Sequence, residues 1–265
     1  METSFWFKLG MSFLVGGAWV TLSTVAAERF GSKVGGFIGG LPSTVVVALL
    51  FIGITQTSLV ASRSTTIIPL VQGVNGLFII SYILFVKRGF ILSLASSLLI
   101  WFLLASILMV IGIRSFLISV VGWVFLVLIC YLIVERYLRI SSKDKVSVHY
   151  TSSQIIFRAL FGGAVIGFAV FMGKVAGPMY GGIFATFPAM FISTIVITHR
   201  TGGADFSRAV AKALMVSGLI NVALYAIAVR YLYVWLGLIY GTAIAILFSC
   251  VTGYMTYLFI RVKVS

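Results

Sequence analysis

Long apolar runs dominate the chain, and short polar or glycine-rich stretches interrupt them. A helix needs about 20 apolar residues to cross the hydrocarbon core of a bilayer. By that measure the pattern predicts nine transmembrane helices, at roughly 5–26, 36–57, 66–86, 90–112, 115–135, 154–172, 180–198, 208–229 and 235–260. The longest connection, from Arg136 to Gln154, holds Ser141, Ser142, Lys143, Asp144 and Lys145 and reads as an aqueous linker. The first run also has the look of a signal peptide, with Lys8, an apolar core and small residues at Val25, Ala26 and Ala27. Its membership in an internal repeat, given below, argues that it is retained.

Composition removes the soluble alternatives. Of 265 residues, 61% are hydrophobic and 9% charged, with a mean hydropathy of +1.19. A soluble domain carries about 25% charged residues, so this chain cannot cover a water-facing surface. It is expected to use the lipid bilayer as solvent, and disordered, secreted and nucleic-acid-binding classes are excluded. Nineteen Lys and Arg stand against five acids, a net charge of +14. With nine crossings, one side receives five cations: Lys8, Arg63, Arg114, Lys174 and Arg230. The other receives the remaining 14: Arg29, Lys33, Lys87, Arg88, Arg136, Arg139, Lys143, Lys145, Arg158, Arg200, Arg208, Lys212, Arg261 and Lys263. The positive-inside rule then places the N-terminus outside and the C-terminus in the cytoplasm of a multi-pass cell (plasma) membrane protein. Anionic lipid headgroups are an expected contact on the cytoplasmic side. A homo-oligomer stays open. Cys130 and Cys250 lie in apolar runs without metal-ligand spacing, so no metal, redox motif or cofactor is expected.

The chain matches itself at an offset of 146 residues without a gap. Gly16, Gly17 and Ala18 pair with Gly162, Gly163 and Ala164; Gly31 with Gly177; Gly35 and Gly36 with Gly181 and Gly182. Pro42 pairs with Pro188, Thr55 with Thr201 and Asn75 with Asn221. Shared Leu, Val and Ile follow from composition, but shared GGA, GG, Pro and Asn in one register do not. The expected domains are a four-span repeat over 1–112, a linking span and cytoplasmic linker over 113–149, and a second four-span repeat over 150–265. Four spans return the chain to its starting side and the fifth carries it across, so the second copy enters inverted. The expected fold is thus an all-α polytopic membrane protein with 4+1+4 inverted-topology repeats, an arrangement found in many transporters.

Each copy holds one unusual motif. The first runs through Gly35, Gly36, Gly39, Gly40, Pro42, Ser43 and Thr44, and the second through Gly181, Gly182, Thr186 and Pro188. Proline lacks an N–H and suits the start of a helix. A half-helix could begin at each proline, with free amides facing a cavity and favouring an anion. The alternative is close packing: Gly35 with Gly39, and Gly36 with Gly40, form GxxxG pairs that let helices approach in lipid. Asn75 and Asn221 lie within spans, as interhelical glue or as lining of a path, and Gln72 extends the Asn75 stripe by one turn. Glu28 and Lys174 hold equivalent positions before the two motifs, as charged gating or coupling groups or as headgroup-level residues. In the polar stretch from His199 to Arg208, Asp205 is placed to cap the eighth span, with Arg208 one turn in; His149 and His199 read as solvated.

Residues 173–209 resemble GlpM, a small four-span bacterial inner-membrane protein, and its relatives. Lys174, Gly182, Phe187-Pro188, Gly203, Asp205, Arg208 and Ala209 carry the resemblance, with Asp205 standing where that pattern has Glu and Gly202 where it has Arg. The first copy departs from it, with Glu28 for the Lys and Leu41 for the Phe. The resemblance implies fold more than activity, a link to exopolysaccharide production, and single-copy relatives that assemble as pairs. Three functions compete. The first is a transporter or channel for a small solute or lipid-linked intermediate, with its site between the repeats. The second is a non-transporting scaffold or assembly partner for envelope polymer or lipid synthesis. The third, an intramembrane enzyme, lacks any Ser/His/Asp set, HExxH or carboxylate pair, so no enzymatic activity and no catalytic residues are expected.

Overall fold

The computed structural model describes residues 3–29, 41–138 and 150–264. Among them the chain is helical, without strands. Ten α-helices run in order: α1 (Thr3–Arg29), α2 (Ser43–Thr55), α3 (Ser58–Ser64), α4 (Ile68–Phe85), α5 (Phe90–Ile111), α6 (Phe116–Leu132), α7 (Ser152–Val175), α8 (Pro178–Ala185), α9 (Ala189–Trp235) and α10 (Gly237–Val264). A 3₁₀ turn, Val86–Arg88, continues α4, and a π turn, Ile133–Leu138, continues α6.

Among the described residues, seven segments are long and apolar enough to cross a membrane: Thr3–Ala26, Ile68–Arg88, Phe90–Ile111, Phe116–Arg136, Ser152–Val175, Pro178–Trp235 and Gly237–Thr256. Ser43–Thr55 is apolar but shorter. The 58-residue segment Pro178–Trp235 would be about 87 Å long if straight, twice the thickness of a whole bilayer. It is not straight. The segment is interrupted between α8 and α9 at Thr186–Pro188, and α9 is broken at Gly203 (φ 74, ψ −167). Only glycine adopts that backbone without strain. The continuous helix expected over 180–198 is therefore replaced by α8 and the first part of α9. The second expected span, 36–57, enters the described residues at Leu41 and ends with α2.

Local sequence explains several starts. Thr151 and Gln154 form a reciprocal capping box at α7, Thr57 caps α3, and Ser115 caps α6. Serine and threonine hydroxyls elsewhere bond back to their own helix, as Thr21, Thr24, Thr198 and Thr256 do. Such bonds satisfy a hydroxyl inside an apolar bundle.

Two helix pairs position the centre. In the first, α1 packs on α7. A Cβ on Gly17 would meet the Ala159 carbonyl oxygen at 3.1 Å, and one on Gly163 would meet that of Phe13 at 2.7 Å. Likewise Gly16 packs on Ile166 and Gly162 on Val20. Early positions on one helix meet late ones on the other, and Trp6 stacks on Phe171, so the two helices run antiparallel. In the second pair, α4 lies along the 204–235 part of α9, with Leu219 against Gly76. Helix α6 covers α4 through Gly122 on Leu70 and Leu126 on Gly73, and Ser119 Oγ accepts from Leu70 N at 3.0 Å.

The core has two parts. One joins α4, α5 and α6 to Phe191, Ile192 and Ile195 of early α9; the other joins α2 and α7 to Val222, Tyr225, Ala226 and Val229 of late α9. The short helix after each proline thus packs against elements from the other half of the chain. Outward faces of α5, α6 and α10 present Ile91, Val110, Leu117, Phe125, Ile239 and Leu247, each more than half exposed. A continuous apolar belt of this kind is a surface for lipid.

Candidate functional site

Both prolines sit immediately before a helix with nearly the same backbone: φ −76, ψ 53 at Pro42 and φ −74, ψ 39 at Pro188. They precede the first helical residue and do not occupy it. The first amides of a helix have no acceptor within it. In α2, Ser43 N donates to Leu41 O and Val46 N to Pro42 O; in α9, Ala189 N donates to Phe187 O and Ile192 N to Pro188 O. The amides of Thr44, Val45, Met190 and Phe191 are left without a backbone acceptor among the described residues.

These two helix starts face one cavity. Its wall includes Pro42, Ser43, Thr44, Gln72, Asn75, Thr186, Pro188, Met190 and Gly218. Its volume is about 40 Å³ as the space open to the centre of a water-sized sphere. One water needs roughly 10–15 Å³ on that measure, so the cavity takes a few waters or one small ion. A smaller space, walled by Trp19, Ser23, Ile246 and Ser249, shares Leu41, Pro42 and Ser43 with it. Asn75 lies seven residues into α4, about 10 Å along the axis, which puts the cavity near mid-helix depth.

The polar lining is ordered by an amide network. Asn75 Nδ2 donates to Thr186 O at 2.9 Å and to Gln72 Oε1 at 3.3 Å, and its Oδ1 accepts from Trp101 Nε1 at 2.7 Å. Asn75, Gln72 and Trp101 are all buried. Asn75 thereby ties α4 to α5 and to the last turn of α8, directly before the break at Pro188. Asn221 is buried too, and its Oδ1 accepts from Ser249 Oγ at 3.1 Å and Thr252 Oγ1 at 2.8 Å of α10. Asn221 does not line the cavity; its neighbours Gly218 and Val222 do. Of the two amides, one serves the cavity wall and the other joins α9 to α10.

The glycines of the second motif have a packing role. Gly181 lies against Gly173 and Ile52, and a Cβ on Gly182 would strike the Ser64 carbonyl oxygen and Ile67. Close packing and a helix break, read from the sequence as alternatives, coexist at 181–188. Gly35, Gly36, Gly39, Gly40 and the side chain of Glu28 lie outside the described residues, as does His149.

The charged candidates are elsewhere. Lys174 is exposed in the last turn of α7. Asp205 is exposed in the first turn after Gly203, with Oδ1 3.2 Å from Lys87 Nζ and 3.5 Å from Arg208 Nη1. Its carboxylate thus ties the 3₁₀ turn to α9, where a helix cap was expected. His199 is not simply solvated: its ring stacks on Phe90 at 4.4 Å, and Ser207 Oγ lies 3.5 Å from Nδ1 and 2.7 Å from Tyr82 Oη.

Two cations, Lys212 and Arg158, carry structure that sequence reading assigned only to topology, and Glu135 drew no reading at all. Glu135 Oε1 lies 2.9 Å from Lys212 Nζ, joining the end of α6 to α9. Arg158 is buried in the second turn of α7. Its position was legible: the Thr151–Gln154 capping box fixes where α7 starts, and Arg158 follows by more than a turn. Among the described residues, no group of three or more His, Cys, Asp or Glu gathers to hold a metal.

Comparison with known proteins adds one finding. A family model described as "Protein of unknown function (DUF3147)" matches residues 9–114, the stretch from α1 to the end of α5. The match falls on the first half of the chain, away from residues 173–209, on which the expected likeness to GlpM rested, and no comparison supports that likeness. No curated protein matches the chain, and no solved structure matches it.

Proposed function

We propose that the chain is an integral membrane protein that passes a small solute through the cavity between Pro42 and Pro188. On this reading residues 1–112 and 150–265 are two copies of a four-span unit, inverted across the linking helix α6. The chain then crosses nine times, with its N-terminus outside and its C-terminus in the cytoplasm. The contacts between α1 and α7 support the inversion. Gly17 on Ala159 and Gly163 on Phe13 are one contact repeated at the 146-residue offset, as are Gly16 on Ile166 and Gly162 on Val20. Reciprocity of this kind belongs to a two-fold axis, and antiparallel helices put that axis in the membrane plane. The family match, which ends at residue 114 before α6, agrees with a four-helix unit that exists alone.

The observation that carries the transport reading is the pair of helix starts facing one polar cavity. Broken helices at corresponding positions of two inverted halves are the usual architecture of a transport site. The test is flux through the purified chain in liposomes, screened over small anions, cations and neutral solutes. Pro42→Ala and Pro188→Ala should each lower the flux of whichever solute passes, because alanine frees the backbone that proline fixes at each helix start. Absence of flux for every solute defeats the proposal. A non-transporting scaffold for envelope assembly is the second reading; the small size of the cavity favours it.

A further inference from the structure

Building on the pathway proposed above, we infer that its solute is a small monovalent anion, and that Arg158 supplies the fixed positive charge that selects it. Arg158 is 5% exposed. Its Nε donates to Thr24 Oγ1 at 3.2 Å and its Nη1 to Thr194 Oγ1 at 2.8 Å; Nη2 lies 3.9 Å from Met190 Sδ, and the guanidinium stands 5.3 Å from the Tyr150 ring centre. Every one of these partners is neutral. The described carboxylates, Glu135 and Asp205, are engaged by Lys212 and by Lys87 with Arg208. The guanidinium therefore has no counter-ion among the described residues. Arginine keeps its proton in proteins, and a buried charge is costly unless it is paired. Held in place by these neutral partners, the charge is available to a neighbouring ion.

Its place indicates that use. Met190 both touches the guanidinium and walls the cavity, beside the free amides that open α9. Helix α2 aims its own first amides at the same space from the other side. The amide side-chain network turns a donor toward the void. Asn75 Oδ1 is taken by Trp101, and Gln72 Oε1 by Asn75. What remains of Gln72, which is 2% exposed, is an Nε2 amide with no partner among the described residues. Ser43 and Thr44 add hydroxyls. The hydroxyls can serve either sign of charge, but the Gln72 amide and the first amides of both helices are donors only, and they favour an anion. The volume suits something the size of a halide or nitrate. At the position equivalent to Arg158 stands Ser12, whose Oγ bonds to Leu9 O, so the fixed charge acts from one side of the cavity only.

The experiment uses the full chain in liposomes with chloride, nitrate, potassium and glycerol as probes. The wild type should pass chloride and nitrate in preference to potassium and glycerol. Arg158→Gln should lower anion flux by about tenfold or more, while Arg158→Lys keeps the anion preference. Gln72→Glu, which places a negative charge in the cavity and leaves Arg158 alone, should abolish anion flux; it decides the matter if Arg158→Gln does not fold. A wild type that passes potassium or glycerol but not chloride or nitrate overturns the anion assignment while the pathway stands. A wild type that passes nothing overturns the pathway as well. Unchanged anion preference in Arg158→Gln, or in Gln72→Glu, overturns the inference.

Discussion

Replacing Gly163 by alanine tests the packing of α1 on α7, on which the relation between the two halves depends. The new methyl would lie 2.7 Å from the Phe13 carbonyl oxygen and 3.4 Å from Gly17 N. Both are backbone atoms, so no side chain can swing aside and the helices must part, by roughly 0.5 Å. A gap of that size forfeits about a quarter of each dispersion contact, itself worth about 0.1–0.2 kcal/mol. Over some tens of atom pairs along this interface the loss is about 1–2 kcal/mol, the usual range for overpacking. The helix-propensity gain of alanine offsets little, because a helix in lipid stays helical when it separates from its partners. Gly17→Ala presses on the same interface less hard, at 3.1 Å from the Ala159 carbonyl oxygen. One separation relieves both clashes, so the double variant should cost clearly less than the sum of the single ones. Gly10→Ala, with nothing within 4 Å of the added methyl, is the control and should be neutral. Thermal unfolding in detergent, or steric trapping in bilayers, measures all four. The packing argument is refuted if Gly163→Ala is as stable as the wild type, or if the two costs simply add.

Three further outcomes are expected. Trp101→Phe removes the donor to Asn75 Oδ1 from a site where Trp101 is fully buried, and should cost about 1 kcal/mol, read by thermal unfolding. Glu135→Gln should cost about 1 kcal/mol or less, since the carboxylate that meets Lys212 is 35% exposed; high salt should narrow the difference from the wild type. In a variant lacking Cys130 and Cys250, single cysteines at Ser141 and Thr201 should both react only with a reagent applied from the cytoplasmic side. Labelling of either from outside breaks the nine-crossing topology.

What could be read from the chain and what could not differ in physical kind. Apolar runs mark α4, α5, α6, α7 and α10 within a few residues, because lipid demands unbroken apolar length whatever the neighbours are. Pro42 and Pro188 mark helix starts because a missing N–H is a property of the residue alone. Asn75 was legible as a buried amide, but its partners were not: Trp101 and Thr186 come from other elements, and only the assembled bundle brings them together. Charge was read for topology and so misjudged in two places. Arg158 and Lys212 were weighed as markers of a membrane side, whereas the first is buried and the second meets Glu135 across helices. The stop at Gly203 inside a long apolar stretch was partly visible in the polar run around it, yet its positive φ belongs to the fold.

The arrangement also explains why two helix starts are paired. A single half-helix start inside a membrane leaves amides that only a neighbour or a bound group can satisfy. Here α2 packs with α7 and late α9, while early α9 packs with α4 and α5. Each half therefore supplies the apolar bed on which the helix after the other half's proline rests. If the halves are inverted copies, the axis that relates α1 to α7 brings both starts to one level and turns them toward one point. The sum of their dipoles there is positive whichever way the protein is oriented in the membrane. On the proposed reading a site of that kind has no preferred direction, and Arg158, present on one half where the other has Ser12, would make its two sides unequal.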